Sequence, residues 1–126
     1  MIVVSLGTTW PWVLNGEATP EAATRGAWPV RSNEFERMLE CADVVVGVFQ
    51  NRVVTAYDIT DWRWETDEER QAAILQRLSR ENPRVVFDVA LSERWNGLIG
   101  TANPARVFGR WPVQYLDSSS VPPVSR

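Results

Sequence analysis

The clearest hydrophobic pattern lies in the middle of the chain, where two apolar runs flank a short polar segment. DVVVGVFQ is apolar at successive positions, which is typical of a strand buried on both faces. The following VVTAYDITDWRW alternates, and the intervening QNR can reverse the chain because Asn51 tolerates a positive φ. The pattern therefore predicts a hairpin with strands over residues 43–50 and 53–60.

The second of these strands ends with two tryptophans on either side of an arginine. Its first face is formed by every second residue, namely Val53, Thr55, Tyr57 and Ile59. Strict alternation puts Trp62 and Trp64 on the opposite, more polar face. A β-bulge near Thr60 and Asp61 turns both indoles toward the core instead. The sequence leaves these two arrangements open.

Two segments have the periodicity of amphipathic helices. In the first, Ser32 is the cap and the apolar face is formed by Phe35, Met38, Leu39 and Ala42. The second begins with a capping box, Thr66 and Glu69, and its apolar positions are Ile74, Leu75 and Leu78. Helices are therefore predicted near residues 33–42 and 66–80.

The remaining apolar pieces are shorter and separated by turn-forming residues. RVVFDVAL alternates and predicts a strand over residues 84–91, whose inward residues are Val85, Phe87, Val89 and Leu91. An N-terminal strand, IVVSLG, precedes a loop over residues 8–24, and RGAWPVRS is a short extended piece. NGLIGT, ARVFG and PVQYL are predicted as further short strands.

These elements predict a single α+β domain over residues 1–116, since 126 residues suffice for one hydrophobic core. We expect a curved, mostly antiparallel sheet or small open β-barrel with two main helices. The segment 117–126 lacks apolar content and is predicted to be a disordered tail.

The amino-acid composition excludes several classes of catalytic and metal-binding site. The chain has no histidine and no lysine, which excludes Ser-His-Asp and Cys-His catalysis, histidine metal sites and Schiff-base chemistry. Cys41, the sole cysteine, is interpreted as a packing residue in a reduced, cytoplasmic protein. MIVVSL is too short to span a membrane. We expect a non-catalytic protein with no metal, cofactor or membrane association.

The order of RGAWPV, VVVGVFQNRVVTAYDITDW, RVVFDVAL and RVFGRWPVQYL resembles the PUA-like superfamily, in particular its small EVE- and ASCH-type members. The resemblance covers about residues 25–116 and departs from the family at Trp111, where a small polar residue is usual. It implies a PUA-like fold with a surface cleft that takes a base, often a modified one, in RNA or DNA.

Aromatic and arginine residues supply the candidate site. Seven tryptophans exceed what one small core can bury, and all 13 basic residues are arginine in a chain of net charge −3. Bases stack on aromatic rings, and guanidinium groups bind phosphates and base edges. Three places combine the two residue types: Arg25, Trp28 and Arg31; Trp62, Arg63 and Trp64; and Arg106, Arg110, Trp111 and Tyr115.

The resemblance implies that the first and third of these places meet in space. Trp28 and Trp111 are then the stacking candidates, Arg31 and Arg110 the phosphate or base-edge contacts, and Tyr115 a wall of the cleft. The predicted function is binding of RNA, DNA or a nucleotide. A protein–protein module, as a regulator of a partner protein or as a homodimer, and a binder of small molecules in the same cleft are the alternatives.

Overall fold

The computed structural model describes residues 1–76, 82–105 and 111–121 of the chain. It contains one mixed β-sheet. Its strands are β1 (Ile2–Ser5), β2 (Trp28–Pro29), β3 (Val44–Phe49), β4 (Arg52–Trp64), β5 (Arg84–Leu91) and β6 (Val113–Tyr115). They lie in the order β2-β5-β4-β3-β1-β6, and all neighbours are antiparallel except β1 and β3. The helices of the described residues are α1 (Trp10–Leu14), α2 (Pro20–Arg25), α3 (Phe35–Cys41) and α4 (Asp67–Leu75).

The predicted central hairpin is confirmed. β3 and β4 pair antiparallel, and the turn between them has positive φ at both Gln50 (50°) and Asn51 (63°). Positive φ at both turn residues gives the backbone twist that two-residue hairpins need. The hairpin places β3 and β4 in the middle of the sheet, where each has a neighbour on both sides.

A β-bulge near the end of β4 decides between the two arrangements of the tryptophans. Ile59 pairs with Val89, but Asp61 pairs with Asp88 and Trp62 with Phe87, so one residue of β4 is extra. The bulge turns Trp62 onto the face that carries Tyr57, where it packs against the core. Trp64, predicted to turn inward with it in that arrangement, remains 43% exposed.

A second register shift, between Gly47 and Val48, corrects the predicted face of β4. It puts Val53 in a different hydrophobic cluster from Tyr57, although strict alternation had placed them together. The reason is that each bulge reverses the alternation beyond it.

Each face of the sheet buries its own cluster. The interior cluster includes Ile2, Val4, Leu6, Trp28, Val30, Met38, Val45, Tyr57, Val85, Phe87 and Val113. The outer cluster includes Met1, Val3, Val44, Val46, Val48, Val53, Trp95 and Leu98. The two clusters explain why β3 is apolar at successive positions.

The two edges of the sheet approach each other. Arg31 lies just after β2 and Trp111 just before β6, and the guanidinium carbon of Arg31 is 3.9 Å from the centroid of the Trp111 ring. This contact joins the ends of the strand order, so the sheet is nearly closed and barrel-like. The predicted α+β class with a curved, mostly antiparallel sheet is confirmed.

The predicted loop over residues 8–24 is wrong, because it contains α1 and α2. Thr19 caps α2 by accepting a hydrogen bond from the Ala22 amide, and Pro20 occupies the first turn. NGLIGT forms a 3₁₀ turn over Asn96–Leu98 rather than a strand.

The C-terminal predictions have mixed outcomes. PVQYL contains β6 as expected, whereas residues 106–109 of ARVFG lie outside the described residues. In the predicted tail, Ser118–Ser120 form a 3₁₀ turn and Val121 packs against the outer cluster. The described fold therefore extends beyond residue 116.

Several predicted inward side chains face solvent instead. Leu91 is 80% exposed, because it lies at the very end of β5. Leu39, Ile74 and Leu75 are also exposed, and Ala73 is the buried residue of α4. Leu78 lies outside the described residues.

None of the helices in the described part of the chain has the length and apolarity to cross a membrane.

Candidate functional site

Three aromatic rings pack where the end of β4 meets the start of α3. The rings of Phe35 and Trp64 stack with centroids 5.5 Å apart and an interplanar angle of 18°. Trp62 meets both rings edge to face, at 5.7 Å from Phe35 and 5.5 Å from Trp64. Trp62 reaches into the core, whereas Trp64 remains 43% exposed. The cluster therefore holds one indole rigidly at the surface.

Arg31 lies close to this cluster. Its side chain is 51% exposed and its guanidinium rests on the Trp111 ring, in a cation–π contact. Its ion pair with Glu34 is 3.8 Å long, which exceeds hydrogen-bond distance. Among the described residues, Arg31 therefore retains N–H donors for a ligand.

A cleft of about 400 Å³ brings these groups together. It is lined by Val30, Arg31, Ser32, Phe35, Trp64, Asn82 and Pro83, and we name it the Arg31 cleft. Within the part of the chain that the structure describes, Arg31 is the one charged residue of this lining, and the other side chains are aromatic, aliphatic or small and polar. Such a lining suits a flat apolar ring that carries an anionic or hydrogen-bond-accepting group.

A second cleft, of about 390 Å³, adjoins the first. It is lined by Trp64, Glu65, Asp67, Arg70, Asn82, Pro83 and Arg84, and we name it the Arg84 cleft. Trp64, Asn82 and Pro83 line both clefts, so Trp64 lies between them. Two acids and two arginines line the second cleft, which makes its lining far more polar.

Comparison of the chain with protein-family models, curated proteins and solved structures gives no significant match. The likeness to the PUA-like superfamily stays a prediction.

Trp28 is a correction to the predicted site. Its ring is 8% exposed within the interior cluster, and its Nε1 donates to the carbonyl of Thr24 at 2.8 Å. A buried ring with a satisfied N–H has no face to offer a base. Trp28 belongs to the core because its strand, β2, pairs with β5, while its ring reaches α2 through the hydrogen bond to Thr24.

Arg25 and Arg63 hold the fold together. Arg25 Nε donates to the Phe87 carbonyl at 2.9 Å, and its Nη2 lies 3.1 Å from the Asp88 carboxylate. Arg63 donates to both carboxylate oxygens of Glu69, at 2.6 and 3.2 Å. Both guanidinium groups are thus bonded to the protein itself, and neither lines the Arg31 cleft or the Arg84 cleft.

Acid should weaken the Arg63–Glu69 bridge. Hydrogen bonds from Arg63 and then from the Thr66 amide lower the pKa of Glu69 from 4.5 to about 2. Because the folded-state pKa is the lower one, the stabilisation is complete above about pH 4.5 and is lost as the pH falls toward 2. We expect Glu69→Gln to lower the Tm by about 2–4 °C at neutral pH, since the pair is exposed.

Thermal melts of both proteins across this pH range check the expectation. The difference in Tm should shrink as the pH falls. A constant difference would mean that Glu69 acts only through packing or the capping hydrogen bond.

The third predicted place is partly described. Trp111 supports Arg31, but it does not line either cleft, and its Nε1 is buried without a partner among the described residues. The Tyr115 hydroxyl is likewise buried, and burial, followed by the negative charge of Glu34, raises its pKa to about 12. Tyr115 is therefore a packing residue beside α3 and does not line the clefts. Arg106 and Arg110 lie outside the described residues.

Three lining residues were not predicted from the sequence. Phe35 was interpreted only as part of a helix face, and Asn82 and Pro83 only as a helix stop. The signal for Phe35 was its position at the start of α3, four residues after Arg31. The predicted cap by Ser32 is wrong, because Ser32 begins a 3₁₀ turn over Ser32–Glu34 and makes no capping hydrogen bond to α3. No local sequence pattern identifies Asn82 or Pro83 as site residues, because the pairing of β5 with β2 and β4 is what brings them to the site.

Metal binding has no support in the described residues. Within 1–76, 82–105 and 111–121, no three acidic or cysteine side chains are grouped as a metal site requires. Cys41 is buried, as predicted.

Proposed function

We propose that the protein is a non-catalytic module that binds a nucleobase or nucleotide of RNA or DNA in the Arg31 cleft. One observation carries the proposal: the exposed indole of Trp64 and the guanidinium of Arg31 line the same cleft. Phe35 supports the indole from behind and Trp111 supports the guanidinium. Both recognition groups are thus held in place before a ligand arrives.

The energetics favour this ligand class. Base stacking on an aromatic side chain contributes about 1–3 kcal/mol, whichever base is present. Arginine binds phosphate through two parallel hydrogen bonds. Ligand pockets range upward from about 300 Å³, and the cleft of about 400 Å³ lies within that range.

We also propose that the domain is PUA-like. The order of β2, α3, the β3–β4 hairpin, β5 and β6 supports this, as does a nearly closed sheet. In that family a base-binding cleft lies on the barrel surface, and the Arg31 cleft lies beside the edge strand β2.

Loss of the Trp64 ring tests the proposal. We expect Trp64→Ala to weaken binding of a single-stranded oligonucleotide by about 5- to 150-fold, because it removes one stacking surface. Fluorescence anisotropy of labelled RNA and DNA strands at low salt measures the change. Thermal melts establish that the variant is folded.

Matched controls separate binding from general effects. Trp12 is 47% exposed on α1 and lines neither cleft, so Trp12→Ala should bind like the wild type. Arg31→Gln should weaken binding and flatten the salt dependence, by about 0.7 in log–log slope for each phosphate that the arginine neutralises in the wild type. Arg94→Gln removes a similar arginine–indole interaction, on Trp95, and should change neither.

A protein–protein module is the second candidate, favoured by the apolar side chains that face solvent. Among the described residues they are, besides Trp64, Trp12, Leu14, Leu39, Ile74, Leu75 and Leu91. If the wild type binds no RNA, DNA or nucleotide at low salt and sediments as a dimer, this candidate replaces the first.

A further inference from the structure

Resting on the proposed function, we infer that the site takes two consecutive nucleotides of a single strand, one in each of the two clefts beside Trp64. The Arg31 cleft measures about 400 Å³ and the Arg84 cleft about 390 Å³, so each has room for one nucleotide. Because Trp64, Asn82 and Pro83 line both, a ligand can continue from one cleft into the other.

The position of Trp64 selects for an unpaired strand. Phe35 covers one face of the Trp64 ring, so the indole offers its other face to a single base. Bases in a duplex are already stacked on each other and paired along their edges. Single-stranded bases can be splayed out and stacked on protein rings. The ligand class is therefore single-stranded nucleic acid rather than duplex or free mononucleotide.

The charges of the two clefts differ, and the difference orients the strand. Among the described residues that line the Arg31 cleft, Arg31 is the one charged group, so a phosphate is favoured there. The described lining of the Arg84 cleft combines two carboxylates, Glu65 and Asp67, with two arginines. Both arginines, Arg70 and Arg84, already have bonding partners, so this cleft favours a phosphate less than the Arg31 cleft does. A carboxylate does accept hydrogen bonds from the exocyclic amino group of a base such as cytosine.

Asp67 is the carboxylate best placed for that role. It is exposed in the first turn of α4 and makes no hydrogen bond or ion pair with the described residues. Uracil and thymine carry no amino group to donate to it. We therefore expect the Arg84 cleft to favour cytosine or adenine over uracil.

A length series tests the two-nucleotide site. Anisotropy competition is measured with cytidine monophosphate, the dinucleotides CpC and UpU, a short single strand of cytidines, and a duplex containing that strand. We expect CpC to bind at least about tenfold more tightly than the mononucleotide, because a second base is bound. UpU and the duplex should both bind more weakly than CpC.

Paired variants test the orientation. Asp67→Asn should reduce the preference for CpC over UpU, whereas Glu36→Gln should leave it unchanged. Glu36 occupies the first turn of α3 and lines neither cleft, so it controls for the loss of a helix-terminal charge. An unchanged preference in Asp67→Asn would contradict the proposed base contact.

The outcomes also separate this inference from the proposed function. If CpC binds no better than the mononucleotide and Trp64→Ala weakens both, the proposed function stands and the two-nucleotide site is wrong. Equal binding of duplex and single strand overturns it as well. If no probe binds at low salt, both proposals are wrong.

Discussion

Replacing Trp28 by alanine is expected to lower the free energy of unfolding by about 3–5 kcal/mol, the range typical of a large buried aromatic side chain. The ring lies in the interior cluster, and its N–H satisfies the Thr24 carbonyl at 2.8 Å. The substitution leaves both a cavity and a carbonyl without its donor. Gly26, at φ 47°, lies against the indole and has no side chain of its own that could fill the space.

Denaturation by urea, followed by far-UV circular dichroism, measures this loss. A fall in Tm of about 10–20 °C should accompany it. Trp28→Phe keeps most of the apolar volume but not the N–H, so its effect should be intermediate. Trp12→Ala, at an exposed position, should change stability little.

The result also bears on the binding site. If Trp28→Ala proved as stable as the wild type and failed to bind nucleic acid, Trp28 would be a ligand contact after all. The core assignment would then be wrong. Trp64→Ala should show the reverse pattern, with weaker binding and nearly unchanged stability.

Local patterns predicted the elements that local interactions define. The β3–β4 hairpin was readable because its strands are long and its turn residue, Asn51, accepts a positive φ. The capping box at Thr66 and Glu69 likewise marked the true start of α4. The bulge near Asp61 remained one of two alternatives, because alternation alone cannot count an extra residue.

The short helices and the exposed apolar positions could not be predicted from local sequence patterns. α1 and α2 have five and six residues, too few for a 3.6-residue period to appear, although Thr19 and Pro20 gave a cap signal for α2. In α4, the period was real but Ile74 and Leu75 face solvent. Periodicity identifies a face and leaves open whether anything packs on it.

Pairing between strands that are far apart in the sequence determined the remaining features of the fold and of the site. The parallel contact of β1 with β3 spans three helices and an edge strand, and no local signal encodes it. The same holds for the site. Arg31 meets Trp111, and Phe35 meets Trp64, only because the sheet nearly closes. Residue types indicated which groups were suited to bind a base, but the fold determined which of them were free to do so.

The second large effect concerns Gly47, which lies at the centre of a buried chain of hydrogen bonds. Its amide donates to Thr55 Oγ1 at 3.0 Å, and the Thr55 and Thr24 hydroxyls are 2.8 Å apart. Thr24 Oγ1 donates to the Pro20 carbonyl at 2.8 Å. Because each hydroxyl has one proton, Thr55 must donate to Thr24. The chain ties α2 to the β3–β4 hairpin.

A methyl group at Gly47 has no room in this arrangement. It would overlap Thr55 Oγ1 and lie within 2.5 Å of Leu6 Cδ1, both in the buried interior. We expect Gly47→Ala to cost about 2–4 kcal/mol, from overpacking together with displacement of a buried hydroxyl. Urea denaturation of the variant measures the cost.

Gly7→Ala is the matched control for Gly47→Ala. A methyl group there meets only Ser5 Oγ, at an ordinary 3.6 Å, and should change stability by less than about 0.5 kcal/mol. In a Thr55→Ala background, Gly47→Ala should cost less than in the wild type, because the displaced hydroxyl is already gone. Equal costs in the two backgrounds would assign the whole penalty to Leu6 and contradict the role given to the threonine pair.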